Sequence, residues 1–541
     1  MKLVSRFLGA RDGNIAIMFA FTFVLLVLFA GGAVDFARYN AVRADLVESL
    51  DASGLAIAQL DALNGPEIRN LSDSAREAYL KDYGRAFFHE NFRHESVIEG
   101  LTVDFDITNA KITPIAQGAM KTLLLGVAAD LMKAPNSPMK SLSMATDTEI
   151  TRAASGNTEV ALVLDTTGSM NSEGRIDDLK AAAKEFVDVL VRSDQSQFYS
   201  KVAIVPYGMA VNLGSHAAAA RGNVAPPVSI TNISKARRAV VTAPNHGFGV
   251  NDYIYIENVG GMYQIADGIY RVKSPTANTF ELQDAYGGYV DSRSYSTYTN
   301  GGEAYCTKTG CKYKYFVNQR NSLRLFEVSS CVSERTGANA YTDASLVNSK
   351  VGYVYAGSSN PCTEPEVAPL SSDKNQLKAD IDNLTAGGST GGHLGVAWGW
   401  YAVSPNFASI FTGESAPADY DDEVSKSVVI MTDGEFNSSY CDGVISQSST
   451  NGSGNSSDKI NCNAPNGHSY AQSEELCDAM KNAGVVVYTV GFKIVDNQSA
   501  RDLMANCATG PSYAYLAQDG AALKRVFADI AQNIAQLHVS R

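Results

Sequence analysis

Cysteine is missing from the first 305 residues of this 541-residue chain, and all eight cysteines lie between Cys306 and Cys507. No two of them form a C-x-x-C pair, and the closest, Cys306 and Cys311, are five apart. That spacing argues against a zinc knuckle. An even set confined to one region fits disulfides made in an oxidising compartment, with metal binding or free thiols as the alternative. Eight cysteines allow about 105 pairings. Proximity and segment select Cys306–Cys311, Cys331–Cys362, Cys441–Cys462 and Cys477–Cys507. Charge is also sparse, at 19% of residues, and the net −13 is spread without a basic stripe. Nucleic-acid binding needs clustered Lys and Arg and is therefore disfavoured. The length predicts about three or four folding units rather than one core.

One long apolar run is present. Residues Ile15 to Val34 carry no charge, and Thr22 is the one polar side chain among them. A helix of that length spans about 30 Å, the thickness of a bilayer's hydrocarbon core. Lys2, Arg6 and Arg11 precede it, which predicts a cytoplasmic N-terminus. Everything after Val34 is then outside, in agreement with the cysteines. The competing reading is a cleaved secretory signal ending at Ala30-Gly31-Gly32-Ala33, but the run exceeds the usual apolar core of about 7–15 residues. Beyond the run, Phe36, Tyr39, Val42, Leu46, Leu50, Ile57, Leu60 and Leu63 keep mostly three-to-four spacing. This predicts either a helical stalk ending before Gly65-Pro66 or a separate surface helix. From Ser72 to Ile150 a helix (to Phe92) and strands at Leu101–Ile107 and Met144–Ile150 predict a small α+β unit without chemistry.

The run from Arg11 to Gln59 resembles the N-terminal segment of TadE/TadG-type proteins of the tight-adherence (Flp) pilus machinery. Pseudopilins of that machinery are cut after a Gly followed by a segment carrying Glu and Tyr. Here Gly13 is present, but Met18 and Phe19 stand at those places, so the anchor is expected to stay.

Farther on, the apolar strand Glu159-Val-Ala-Leu-Val-Leu runs into Asp165-Thr166-Thr167-Gly168-Ser169, and an amphipathic helix follows from Arg175 to Arg192. The loop after a buried parallel strand is where open α/β sheets place ligands. This one offers a carboxylate and two hydroxyls, Asp165, Thr167 and Ser169, hard donors suited to Mg²⁺, Ca²⁺ or Mn²⁺. A Gly-rich loop offers Thr390, and a second apolar strand, Val428-Val-Ile-Met, opens into Thr432-Asp433-Gly434-Glu435. Together these give a D-x-T-x-S…T…D array that resembles the metal-ion-dependent adhesion site (MIDAS) of von Willebrand factor A domains. The family usually has Ser where Thr167 stands, which keeps the oxygen. Val485-Val-Val-Tyr-Thr-Val-Gly-Phe matches the family's late strand. The resemblance implies a Rossmann-like α/β fold with a doubly wound, mostly parallel sheet. It also implies a divalent cation, Mg²⁺ first and Ca²⁺ or Mn²⁺ as alternatives, held by Asp165, Thr167, Ser169, Thr390 and Asp433. A protein partner's carboxylate would complete the shell. Some such domains switch affinity by moving the last helix, here about Asp519 to Leu537. No catalytic residue is expected. Metal hydrolases usually add a His ligand or a positioned base. Of seven histidines, only His393 lies near a site loop, where it reads as a packing or capping residue. Glu435 reads as tuning the shell.

The Thr390 loop follows the second strand, Lys201 to Tyr207, by roughly 180 residues, far more than a compact domain needs. The Tyr- and Gly-rich part, with short strands at Ala239, Tyr253, Tyr270 and Thr279, resembles a small β-module of phage tail proteins and ubiquitin-activating enzymes. Its tyrosines are read as packing or as a contact surface. Cys331-Val-Ser-Glu-Arg-Thr-Gly, Asn360-Pro-Cys362 and Ala397-Trp-Gly-Trp-Tyr again resemble TadG-type sequence. Asn437 to Gly467, rich in Ser, Asn and Gly, is predicted to be a mobile loop pinned by Cys441 and Cys462.

The expected organisation is a cytoplasmic tail (1–13), a transmembrane helix (14–34), a stalk (35–65) and an α+β region (66–152). An A domain split into 153–225 and 370–541 follows, interrupted by an all-β module (226–305) and a cysteine-bearing segment (306–369). The expected function is a TadG-like, non-enzymatic component of a pilus system, acting in assembly, anchoring or adhesion through a carboxylate-bearing protein partner and other envelope components. The alternative is an envelope regulatory or chaperone-like scaffold. The expected location is the bacterial inner membrane, single-pass, with a periplasmic or cell-surface ectodomain.

Overall fold

The computed structural model describes residues 13–63, 67–68, 71, 73–107, 111–134, 137–148, 150–151, 156–193, 195–196, 198–420 and 424–536. Lys2, Arg6, Arg11 and the expected helix stop at Gly65-Pro66 lie outside them. The chain divides into two units, residues 1–155 with 535–541 and residues 156–534.

In the first unit, Gly13–Leu63 is one helix, α1, of 51 residues. No proline interrupts it, and alanine and leucine dominate its second half, so backbone propensity and hydrogen bonding run through without a break. The first half leaves its phenylalanines exposed, Phe19 at 67% and Phe29 at 76%, whereas Val42, Leu46, Leu50 and Ile57 are at most 4% exposed. The spacing of four, four and seven puts those four on one face. They pack on helix α2 (Asp73–Asn91) and on an antiparallel sheet of β1 (Ile98–Ile107), β2 (Lys111–Lys121) and β3 (Ser141–Asp147), with β4 (Ile150–Thr151) also paired to β2. Val42, Leu46 and Leu50 join Phe88, Phe92, Met120 and Met144, while Ile57 joins Leu80, Phe105 and Ile112. A Cβ at Gly84 would collide with Ile57, so this glycine lets α2 approach α1 closely. The second half of α1 is thus no free stalk. Val42, Leu46, Leu50 and Ile57 each gain about 1.5–3 kcal/mol by burial, which is why the unit closes around them. A further short helix, α3 (Leu124–Leu131), was not expected from the sequence.

The second unit is built on a six-stranded sheet. In chain order its strands are β5 (Asn157–Asp165), β6 (Ser200–Tyr207), β7 (Ala368–Ser371), β8 (Val424–Thr432), β9 (Val486–Phe492) and β10 (Ala514–Ala517), and across the sheet they run β7-β6-β5-β8-β9-β10. Only β7 is antiparallel to its neighbour. This is the 3-2-1-4-5-6 order of a doubly wound fold. Successive residues alternate between two cores: Ala161 and Val163 face Trp398 and Leu476, while Val160, Leu162 and Leu164 face Phe186 and Phe527. Burial on both faces explains why these strands read as unbroken apolar runs. Helices α4 (Arg175–Leu190), α5 (Lys374–Asp382), α6 (Gly392–Val403), α7 (Ser469–Asn482), α8 (Gln498–Cys507) and α9 (Gly520–Gln536) cover the sheet.

Between β6 and β7 lies a seven-stranded antiparallel sheet from Val228 to Cys306, then a smaller sheet that pairs Leu323–Ser333 with Tyr313–Val317 and Gly352–Tyr355. The disulfides are Cys306–Cys311, Cys331–Cys362, Cys441–Cys462 and Cys477–Cys507. The Ser-rich segment after Asn437 departs from expectation, because it is folded rather than a loose loop. Ser439, Ser446 and Ser449 are buried and hydrogen-bond one another at 3.1–3.3 Å. Asn318 Nδ2 donates to Ser457 O at 2.8 Å. Short hydroxyls satisfy the polar groups of irregular backbone, so composition that signals a loop here builds a buried network.

Candidate functional site

Asp165 ends β5 and Asp433 follows β8, the two adjacent parallel strands at which the strand order reverses. Both carboxylates therefore emerge at the carboxyl edge of the sheet at its switch point. Asp165 is fully buried and Asp433 is 6% exposed. Four of the five expected site residues form one hydrogen-bonded set. Thr167 Oγ1 donates to Asp165 Oδ1 at 2.6 Å, and its backbone N–H donates to the same oxygen at 3.0 Å. The Thr167 and Ser169 hydroxyls are 3.1 Å apart, and Ser169 Oγ donates to Asp433 Oδ1 at 2.6 Å.

Thr390 joins less directly. Its loop is sewn to the Asp165 loop through backbone, Gly387 N–H to Thr166 O and Gly168 N–H to Gly388 O, both at 2.9 Å. Thr390 itself is held through its own backbone, with its N–H donating to Asn437 Oδ1 at 2.9 Å. Among the described residues, no hydrogen bond ties its hydroxyl to Asp165, Ser169 or Asp433.

Three supporting groups lie outside the expected ligand set. Tyr207, at the carboxyl end of β6, donates to Asp165 Oδ2 at 3.1 Å, and Thr432 Oγ1 donates to the same oxygen at 2.9 Å. Arg175 Nη1 stands 2.9 Å from Asp433 Oδ2. Arg175 is aimed by Gly174, whose φ of 70° is left-handed and favours glycine. The available signal was position: Tyr207 ends a neighbouring strand at the same sheet edge, and Arg175 opens the helix after the loop. Burial, and after it the charge of Asp433, push the Asp165 carboxyl up to about 6. Burial and then Asp165 raise the Tyr207 phenol well above its ordinary value, so it stays a donor.

The donor set is all oxygen, two carboxylates and neighbouring hydroxyls, which fits a hard divalent cation. Among the described residues no three of His, Cys, Asp and Glu cluster as an alternative metal set. His393 stands apart, buried in α6 with Nδ1 2.7 Å from Ser469 Oγ. Glu435 is exposed and accepts from Asn497 at 3.5 Å.

Residues 13–59 match the family model described as "Putative Flp pilus-assembly TadE/G-like". The N-terminal segment is TadE/G-like. The sheet order gives the larger unit a doubly wound, Rossmann-like α/β fold. Solved structures similar to the chain include the pilus adhesin SpaC from Lactobacillus rhamnosus GG, at 11% identity and a TM-score of 0.31 over 80% of this chain and 34% of that one. The vWF domain of the type V pili tip protein Mfa5 from Porphyromonas gingivalis is also similar, at 11% identity and a TM-score of 0.33 over 71% and 97%. The chain spans about a third of the SpaC length. No curated protein matches it. The matched segment lies wholly within α1, and the larger unit carries the site.

Proposed function

We propose that this chain is a membrane-anchored, TadG-like component of a tight-adherence pilus system. In this reading its A domain grips a carboxylate of a pilus or envelope protein through a bound divalent cation, Mg²⁺ first and Ca²⁺ or Mn²⁺ otherwise. The single observation that carries the reading is the contact of Ser169 with Asp433, which joins the first and last site loops at the edge of the A-domain sheet. Asp165, Thr167, Ser169 and Asp433 would hold the cation, with Thr390 positioned by its loop. The cation would supply a Lewis-acidic centre that attracts an anionic ligand.

Charge supports a binding role. Two carboxylates balance a divalent ion, and Arg175 adds one positive charge beside Asp433. The loaded site then carries an excess positive charge that an incoming Asp, Glu or C-terminal carboxylate matches. Asp165 accepts from Thr167, Thr432 and Tyr207, and Asp433 from Ser169 and Arg175, so both carboxylates are tied into the set. We therefore read the site as binding rather than catalytic. The positive-inside pattern of Lys2, Arg6 and Arg11 supports an inner-membrane anchor with the A domain outside the cytoplasm.

The test is a deletion strain complemented with wild type, Asp433→Ala or Asp165→Ala, scored for surface pili and for adhesion. Mg²⁺ binding by the purified full chain is measured in parallel by calorimetry. Both variants are expected to lose Mg²⁺ binding and to behave like the deletion. Normal pili and adhesion in the deletion strain would sink the pilus reading. Normal function from a variant that no longer binds Mg²⁺ would sink the cation-mediated one.

A further inference from the structure

Helix α3 has an outward face that water does not explain. Leu131 is 81% exposed, and Leu123, Val127 and Met132 are each more than half exposed, with Leu124 beside them at 42%. Leu124, Val127 and Leu131 follow the three-to-four spacing of one helix face. Five exposed apolar side chains within ten residues form a patch, not the scattered surface leucines that need no account.

The helix is held firmly at one place on α1. Asp35, fully buried, accepts the backbone N–H groups of Leu123, Leu124 and Leu125 at 2.8, 2.9 and 2.8 Å, so its carboxylate satisfies the helix start. Gly31 leaves room for the first turn, since a Cβ there would come within 3.0 Å of Leu124 Cβ. These anchor points, Gly31 and Asp35, lie where the exposed apolar half of α1 ends and its buried half begins. The outward face of α3 is therefore continuous with the apolar surface of α1 at its boundary. Lys133 follows the patch, and Lys140 pairs with Asp130, which removes the helix's one carboxylate as a free charge.

We propose that α3 is an interfacial membrane anchor. Its Leu124, Val127 and Leu131 face, with Leu123 and Met132, lies in the headgroup–acyl boundary of the phospholipid leaflet from which α1 emerges. A short helix with one apolar face sits about 5–10 Å into that boundary. Together with α1 it gives the first unit two attachments and so restricts rotation of the unit about the axis of α1. The proposal rests on reading α1 as the membrane-spanning helix, and the experiment separates the two.

The full chain is reconstituted into phosphatidylcholine vesicles carrying bromine either near the headgroup end of the acyl chains or near their tips. Three variants are compared, Val127→Trp, Leu131→Trp and Phe23→Trp, against a background in which Trp398 and Trp400 are buried. The first two sites are exposed in α3, so folding is undisturbed. Expected results are blue-shifted emission from the α3 tryptophans, strongly quenched by the shallow bromines and weakly by the deep ones, with Phe23→Trp quenched by the deep ones. Quenching at position 23 with water-like, unquenched emission at 127 and 131 would overturn the proposal and leave the spanning helix standing. Blue-shifted but unquenched emission that depends on the protein-to-lipid ratio would overturn it in favour of a second copy covering the face. No quenching at any site would remove the spanning helix and the proposal together.

Discussion

Ser169 Oγ donates a 2.6 Å hydrogen bond to Asp433 Oδ1, joining two loops that are 264 residues apart in the chain. The other oxygen of Asp433 is occupied by Arg175 at 2.9 Å. One carboxylate thus faces the hydroxyl set on one side and a guanidinium on the other, and the balance between them is open to mutation.

Replacing Ser169 by Ala removes a donor oxygen and should weaken Mg²⁺ binding by at least about tenfold. Replacing Arg175 by Met removes a competing cation while keeping the helix, so Mg²⁺ binding should tighten. Affinity of the Mg²⁺-loaded protein for a carboxylate-bearing peptide should fall. Calorimetry on both variants checks the opposite signs. Weaker Mg²⁺ binding in Arg175→Met would show that the guanidinium orders the site rather than competing for it.

Acidity gives a second test. The folded protein holds Asp165 at about 6, above its ordinary 3.8, chiefly by burial and then by Asp433. The folded state therefore binds this proton more tightly than the unfolded chain does, and raising pH from about 4 to about 6 costs stability through this group. In cation-free protein, Asp165→Asn should flatten that decline. Thermal melts in chelator across this window decide the matter, and an identical decline in the variant would assign it elsewhere.

Inside the larger unit, Lys426 and Glu159 form a 2.6 Å ion pair, with side-chain exposures of 3% and 0%. Glu159 also accepts from the Ala418 N–H at 3.0 Å, and Lys426 donates to Val403 O at 2.9 Å. Lys426→Ala strands a buried carboxylate and should cost about 3–5 kcal/mol. Chemical denaturation measures it. Lys426→Met with Glu159→Gln should recover much of the loss, because the stranded charge is gone.

Reduction is expected to lower the melting temperature of the protein. Each disulfide contributes about 2–4 kcal/mol by restricting the unfolded chain. Cys477–Cys507 ties α7 to α8, and Cys441–Cys462 closes the Ser-rich segment. Thiol titration should find none before reduction and eight after, in denaturant.

Much of this architecture is legible in the sequence. The apolar run of α1, the strands ending at Asp165 and Thr432 and the order of the loops follow from local pattern. A continuous Val/Ile/Leu run bounded by a polar loop is what a strand buried on both faces must look like. The four disulfides fall where proximity in sequence places them, because short chain separations limit where a cysteine can reach. Other features depended on long-range packing. The second half of α1 reads as a stalk or a separate surface helix, since its stripe of Val42, Leu46 and Leu50 does not say what covers it. Composition marks the segment after Asn437 as a loop, yet its serines close on one another and on a strand more than a hundred residues earlier. Arg175 and Tyr207 carry no motif, and only the crossing of β5, β6 and β8 at one sheet edge brings them to the carboxylates. Sequence determined which elements form and which oxygens are on offer, because those are set by side-chain type and spacing along the chain. Tertiary structure alone decided which charges meet, because a hydrogen bond of 2.6 Å depends on how strands far apart in sequence are ordered across the sheet.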